Sequence, residues 1–208
     1  MVRRTKQDAL ATRNSLLDAA ELLFQACGVS RTSLNDIAVA AGTTRGAIYW
    51  HFKDKADLFN AMMERVTLPL EQTLQRASAG EGADPVEEIR AALLDALRKT
   101  ATDERTRRVF EVATHKVEYV DELMAVQQRH LRVRNECLAR TEQALHRAVE
   151  HRALRLPIPV ATAALGLHVM IDGLIQNWLL DPAAFDLVTT GRRALDTYLA
   201  GLGLGGRK

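Results

Sequence analysis

Cysteine is scarce in this 208-residue chain, which has only Cys27 and Cys137. They lie far apart, form no CxxC and have no metal-ligand spacing around them. That sets aside a disulfide framework, a zinc site and a dithiol redox motif. Both fall in apolar helical patterns, so they read as buried free thiols in a reducing compartment. A long apolar run is missing as well. Met1–Arg13 is polar, so no signal peptide is expected. The longest uncharged stretch, Leu156–Ile171, holds two prolines and a histidine and is too short to span a bilayer. The expectation is a cytoplasmic protein with no membrane partner. Net charge is only +2, so the total by itself does not point to nucleic acid. No stretch alternates with period two for long enough to make a strand, and no internal repeat is visible.

What is present is helical pattern almost throughout, so the fold class is all-α. Apolar residues make up 47% and charged residues 26%, the balance of an ordinary globular protein with chain enough for a core. The charge is uneven. Residues 1–55 carry eight Lys/Arg against five Asp/Glu, and the rest carries twenty against twenty-one. Arg3, Arg4 and Lys6 form a basic arm that can meet phosphates, or a merely solvated terminus. Leu16, Ala20, Leu23, Phe24 and Cys27 make one helical stripe, which Gly28 stops. Ser33 and Asp36 have capping-box spacing and open a second helix that ends at Gly42. Thr44 caps a third helix reaching about Phe52. Asp54 and Asp57 repeat the spacing and open a long fourth. Ser78–Pro85 is a loop. Five more helices are expected at about 86–101, 104–114, 121–151, 159–180 and 186–202.

The informative segment is 32–55. A helix, a glycine turn and a second short capped helix follow the plan of a helix-turn-helix. Leu34, Ile37, Ala38, Ala41, Ile48 and Phe52 would pack the pair against the first helix, and the small Ala47 allows a close crossing. Arg45, Tyr49, Trp50 and His51 are left on or beside the outer face of the third helix. Arg reads guanine edges bidentately, Tyr and His donate to phosphates, and Trp packs on sugar or a thymine methyl. Gly46 lets backbone approach the groove floor. The capped N-termini at Ser33 and Thr44 can each hold a phosphate. A helical hairpin with core aromatics has the same outline.

The strings Ser33–Ala38 and Ala41–Lys55 resemble the signature of the TetR family of repressors, with Thr44–Phe52 and Lys55 similar to the AcrR/TtgR-type regulators of multidrug efflux pumps. Fainter likeness continues at Arg105–Arg108, His115-Lys116 with Glu118, and Asp172–Ile175 with Trp178. The resemblance implies that Thr44, Arg45, Tyr49, Trp50, His51 and Lys55 lie on or near double-stranded operator DNA, with Tyr49 and Lys55 on phosphates. It also implies a homodimer and a ligand-binding half. The expected division is therefore 1–55 for DNA, 56–202 for ligand binding and dimerisation, and 203–208 as a disordered tail.

About 150 residues remain beyond the DNA-reading segment. The eighth helix is apolar nearly all round and the ninth repeats the spacing, so the two are core helices of a monomer or a four-helix dimer interface; the resemblance implies the dimer, through helices 8 and 9. Asp172 stands in the middle of the eighth, where a buried carboxylate needs a partner or a purpose. It is either a packing hydrogen bond or the polar anchor of a ligand cavity. Val66, Leu70, Ile89, Leu93, Phe110, Ala113, Thr114, Cys137, His168, Ile171, Ile175 and Gln176 lie on apolar helix faces and match lining positions of the efflux-regulator subgroup, with plain core the alternative for most of them. The expected ligand is a hydrophobic or aromatic small-molecule inducer. The chain departs from that subgroup at Phe110 and Thr114, so ligand preference does not carry over.

Rival readings are weaker. Glu111/His115 and Glu142/His146 are i,i+4 pairs, whereas di-iron bundles use Glu-x-x-His with two further glutamates. Gly201, Gly203 and Gly206 match GxGxxG with no helix after them to hold a pyrophosphate. No catalytic residue, metal or cofactor is expected. A helical protein-interaction module that never touches DNA is the remaining alternative, and the Arg45–His51 surface argues against it.

Overall fold

Two glycines in the left-handed region cut the opening of the chain into short helices. The protein is described here from a computed structural model over residues 6–79 and 84–205. Helix α1 (Lys6–Cys27) stops at Gly28, at φ +85°, whose N–H donates to the Phe24 carbonyl at 2.9 Å. The turn between α2 (Leu34–Ala40) and α3 (Arg45–His51) passes through Gly42 at φ +65°. A side chain there would be strained, and glycine is not. Helix α4 (Lys55–Ala79) carries Pro69 within it and continues past it. Then come α5 (Pro85–Thr102), α6 (Glu104–His115), a 3-10 turn at Asp121–Leu123, α7 (Met124–Arg152), α8 (Val160–Leu180) and α9 (Leu187–Gly201). Among the described residues there are nine α-helices and no strand, an all-α fold.

The chain divides into two compact units, one running to Val66 and including Arg108–Leu131, the other made of Thr67–Arg107 and the chain from Arg132 onward. In the first unit, α1, α2 and α3 pack on one another. Leu16, Leu17, Ala20, Phe24, Ile37, Ile48 and Phe52 share one buried core with Leu58, Phe59 and Met62 of α4. Val109, Val112, Leu123 and Val126 belong to the same core. The DNA-reading segment therefore does not close on itself at residue 55. Its apolar faces are completed from α4 and from a segment more than fifty residues further on. The buried Glu21 of α1 takes Arg65 of α4 and Arg108 of α6 as partners, which ties the three helices by charge as well.

In the second unit α5, α8 and α9 pack mutually. Close approach rests on glycine: a Cβ at Gly166 of α8 would run into the Tyr198 ring, and one at Gly191 of α9 into the Leu97 side chain of α5. The Tyr198 hydroxyl donates to the Ala163 carbonyl at 3.2 Å. Asp84 caps α5, accepting from Val86 N–H at 2.9 Å, and also takes Arg152 Nη2 at 2.8 Å. Burial pushes the Asp84 carboxyl up, but the Arg152 hydrogen bond and charge and the Val86 N–H hold it below its ordinary value.

Three expectations are corrected here. Arg152 Nη1 donates to the carbonyls of Leu204 and Gly205 at 3.1 and 3.0 Å, and Leu204 is buried, so the expected disordered tail is placed as far as Gly205; residues 206–208 lie outside the described ones. Cys27 is exposed in the last turn of α1, past the buried Phe24; Cys137 is half-buried, against Leu74 and Ala92, where burial raises its thiol pKa. Helix α8, 21 residues with Asp172 as its one charge, is long and apolar enough to cross a membrane by length and composition alone. Here one side of it packs on α5 and α9, which also pack on each other.

Candidate nucleic-acid interface and ligand residues

The helix-turn-helix is built by its caps. Ser33 N–H donates to Asp36 Oδ2 at 2.9 Å and Asp36 N–H to Ser33 Oγ at 3.2 Å, closing the capping box of α2. The Ser33 hydroxyl, donating to Asp36 Oδ2 at 2.6 Å, and then the Ser33 N–H hold the Asp36 carboxyl below its ordinary pKa. Thr44 Oγ1 accepts Ala47 N–H at 3.2 Å and starts α3. Ile48 turns inward to the core and Phe52 follows it. The opposite side of α3 therefore carries Arg45, Tyr49 and Trp50 outward, and Trp50 is 74% exposed. Exposing a tryptophan to that extent is costly unless a partner covers it. Arg45 lies over the Tyr49 ring at 5.8 Å, and the half-buried His51 meets the Trp50 ring edge-on at 4.7 Å. These contacts pre-order the long side chains of the face. A Cβ at Gly46 would meet nothing closer than Thr44 Oγ1 at 3.9 Å, so the surface above it is open. Ser33, Thr44 and Ala47 stand at the helix starts beside this face. Lys6 begins α1 and is exposed; Arg3 and Arg4 lie outside the described residues.

Lys55 does not fit the phosphate contact expected of it. Its side chain is only 7% exposed. Nζ donates to the carbonyls of Ser30 and Thr32 at 3.4 and 3.2 Å and pairs with Glu122 Oε2 at 3.2 Å. The ammonium points into the chain because the turn ahead of α2 presents carbonyls there. Two features of this unit were not read from the sequence. Val39 is a large apolar residue exposed on α2; it falls out of phase with Leu34, Ile37 and Ala38, a signal that was legible. Glu122 carries no local signal, since its partner belongs to another helix.

The candidate ligand residues divide between the units. Val66, Phe110, Ala113 and Thr114 belong to the first, where Val66 is in the core and Phe110 and Ala113 pack on it. Leu70, Ile89, Leu93, Cys137, His168, Ile171, Asp172, Ile175 and Gln176 belong to the second. Ile89, Leu93 and Ile171 are buried; Leu70, His168 and Ile175 are half-buried. Asp172 is not the buried carboxylate the apolar helix suggested. It is exposed, as is Gln176, whose Nε2 donates to its Oδ2 at 2.5 Å one turn on. The pair lies on the outer side of α8, away from the buried Ile171 and Trp178. Leu165, Val169 and Leu180 are exposed along the same stripe. Glu111, one of the weighed metal candidates, accepts a hydrogen bond from Gln25 at 2.8 Å, and no cluster of three or more His, Cys, Asp or Glu occurs among the described residues.

Residues 16–62 match the model for bacterial regulatory proteins of the tetR family, and residues 84–203 that for the C-terminal region of MAATS-type transcriptional repressors. The HTH-type transcriptional regulator AcrR of Shigella flexneri is 42% identical over 92% of this chain and 89% of its own. NalD, the secondary repressor of the MexAB-OprM multidrug efflux pump in Pseudomonas aeruginosa, has a solved structure with TM-score 0.87 and 39% identity, covering 94% of this chain and 98% of that one. SmeT, the repressor of the Stenotrophomonas maltophilia multidrug efflux pump SmeDEF, solved with triclosan, gives TM-score 0.81 and 35% identity over 91% and 90% of the two chains.

Proposed function

The chain belongs to the TetR family of bacterial regulatory proteins, and we propose that it represses a multidrug efflux operon, binding a palindromic operator as a homodimer and leaving it on taking up a hydrophobic small molecule. The observation that carries this reading is the outward face of α3, with Arg45, Tyr49 and Trp50 exposed on a capped helix-turn-helix. Arg45 reads a base edge, Tyr49 a phosphate, and the Trp50 ring is covered by sugar or a thymine methyl. Such a protein works in the cytoplasm, where its operator is, and has no catalytic role.

The pump is suggested by the relatives NalD and SmeT, each described as an efflux-pump repressor. The inducer is suggested by SmeT, which binds triclosan. Dimerisation is supported by the stripe of Leu165, Val169 and Leu180 on α8, an apolar band open to solvent in one chain. Leu195 of α9 is fully buried inside the chain, so an interface built from α8 and α9 uses their outer faces. Two reading heads must sit about 34–36 Å apart to enter successive major grooves.

The test selects DNA from a random pool with the purified chain, sequences it and titrates triclosan into the complex. A palindrome whose affinity falls steeply with salt, and falls about 5–150-fold with ligand, is the expected result. Val169→Glu is expected to yield monomers by sedimentation and to lose the operator. Random sequence in the retained DNA, or a monomer that binds fully, overturns the reading.

A further inference from the structure

We propose that Glu122 is a positioning residue for operator binding: through Lys55 it holds the turn at Ser30–Thr32 that delivers α2 to the DNA. This rests on the DNA-binding reading above.

An ammonium has three N–H donors and no acceptor. Lys55 has three acceptors within reach: the Ser30 carbonyl, the Thr32 carbonyl and the Glu122 carboxylate, at 3.4, 3.2 and 3.2 Å. Every donor is therefore engaged inside the chain, and none remains for a phosphate. A buried ammonium persists only with a carboxylate to balance it, and Glu122 is the one it pairs with. Thr32 immediately precedes Ser33, the N-cap of α2. Fixing the carbonyls of Ser30 and Thr32 thus fixes where α2 begins.

The carboxylate has a firm base. Leu123 next to it is fully buried, and Leu123 N–H donates to the Val120 carbonyl at 2.7 Å. The same stretch grips the turn a second time, where Val29 N–H donates to the Lys116 carbonyl at 3.0 Å. Glu122 itself is 58% exposed and lines an open recess with Ser33, Tyr49 and Lys53, on the face that would meet DNA. By charge alone an acid there repels phosphates, and removing it would tighten binding. A positioning role predicts the opposite sign.

The experiment measures the operator affinity of the full chain against salt for wild type, Glu122→Gln, Lys55→Met and the double variant, with backbone amide exchange on each protein without DNA. Glutamine matches glutamate in size and its amide oxygen can still accept from Lys55, so the first variant removes the balancing charge and leaves the packing of Leu123 as it is. Glu122→Gln is expected to lower affinity about tenfold at every salt concentration, the worth of one charge-assisted hydrogen bond. Lys55→Met is expected to do the same with an unchanged salt slope, and adding Glu122→Gln to it should change nothing more. Exchange should quicken over 29–34 and stay as it was in α5. Tighter binding by Glu122→Gln overturns the proposal. So does a Lys55→Met slope smaller by about one, with effects that add to those of Glu122→Gln, because that marks a phosphate contact. If the wild type binds no operator, the DNA-binding reading fails separately. Exchange over 29–34 then decides: quickened it supports the positioning role, unchanged it overturns it.

Discussion

Glu21→Ala should cost this protein about 3 kcal/mol of stability, a value that follows from the charge cluster of the DNA-reading unit. Glu21 is 1% exposed; its Oε1 meets Arg65 Nη1 at 3.2 Å and its Oε2 meets Arg108 Nη1 at 3.7 Å. Removing one partner of a buried pair costs about 3–5 kcal/mol, because the opposite charge stays behind. Here the lower end applies: Arg65 keeps Asp18 at 2.8 Å, and both arginines reach some water. At about 2–4 °C per kcal/mol for a chain of this size, the melting temperature should drop by roughly 6–12 °C. The two arginines give an internal check. Arg65 meets Glu21 at 3.2 Å and Asp18 at 2.8 Å, whereas Arg108 meets Glu21 at 3.7 Å, so Arg65→Ala should cost more than Arg108→Ala. Thermal melts followed by circular dichroism measure all three. A drop under about 1 °C for Glu21→Ala, or the reverse order of the arginines, refutes the argument that the cluster is a desolvated one.

Arg45→Ala should weaken operator binding by about 1–3 kcal/mol and relax preference at one base position, read by selection from a pool of operator variants. Gly166→Ala should destabilise the second unit by about 1–3 kcal/mol, since the added methyl meets the Tyr198 ring; a melt that does not move would mean α9 gives way freely. Acid should destabilise the fold through its caps. Asp36, Asp103 and Asp186 are held below the ordinary carboxylate pKa by hydrogen bonds from Ser33, Thr106 and Thr189. A depressed folded pKa gives stability that is complete above the unfolded value and lost as pH falls through the folded one. The melting temperature should therefore decline below about pH 4, and less steeply in Asp186→Asn.

The helices were legible because their signals are local. Gly28 and Gly42 stop α1 and α2, Ser33 and Thr44 start α2 and α3, and each acts within four residues of itself. The outward placing of Arg45, Tyr49 and Trp50 was legible too, because Ile48 fixes the phase of α3. The boundary at residue 55 was not. Periodicity says that a face is apolar and not what covers it, and Val109, Val112, Leu123 and Val126 cover this one from far along the chain. The same gap explains Asp172 and Cys27. Both sit in apolar patterns, and both are exposed on a helix that buries residues near them, Ile171 beside Asp172 and Phe24 before Cys27.

Lys55 marks where matching a family's spacing stops informing a residue's role. Spacing transmits a backbone path, and here that path places α3 and exposes its outer side chains. It does not transmit the direction of a flexible four-carbon stem, which follows the nearest acceptors. Tyr49 has a rigid ring whose course is set by the helix that carries it, so its exposed position follows from the backbone. Lys55 begins α4 within reach of two carbonyls of the turn before α2 and of a carboxylate supplied from beyond α6. Three acceptors at hydrogen-bonding distance outweigh a solvent-facing ammonium only if the carboxylate is among them, because the two carbonyls alone leave a buried charge unbalanced. The direction of the Lys55 stem is thus set at Glu122, which supplies the one acceptor that balances its charge.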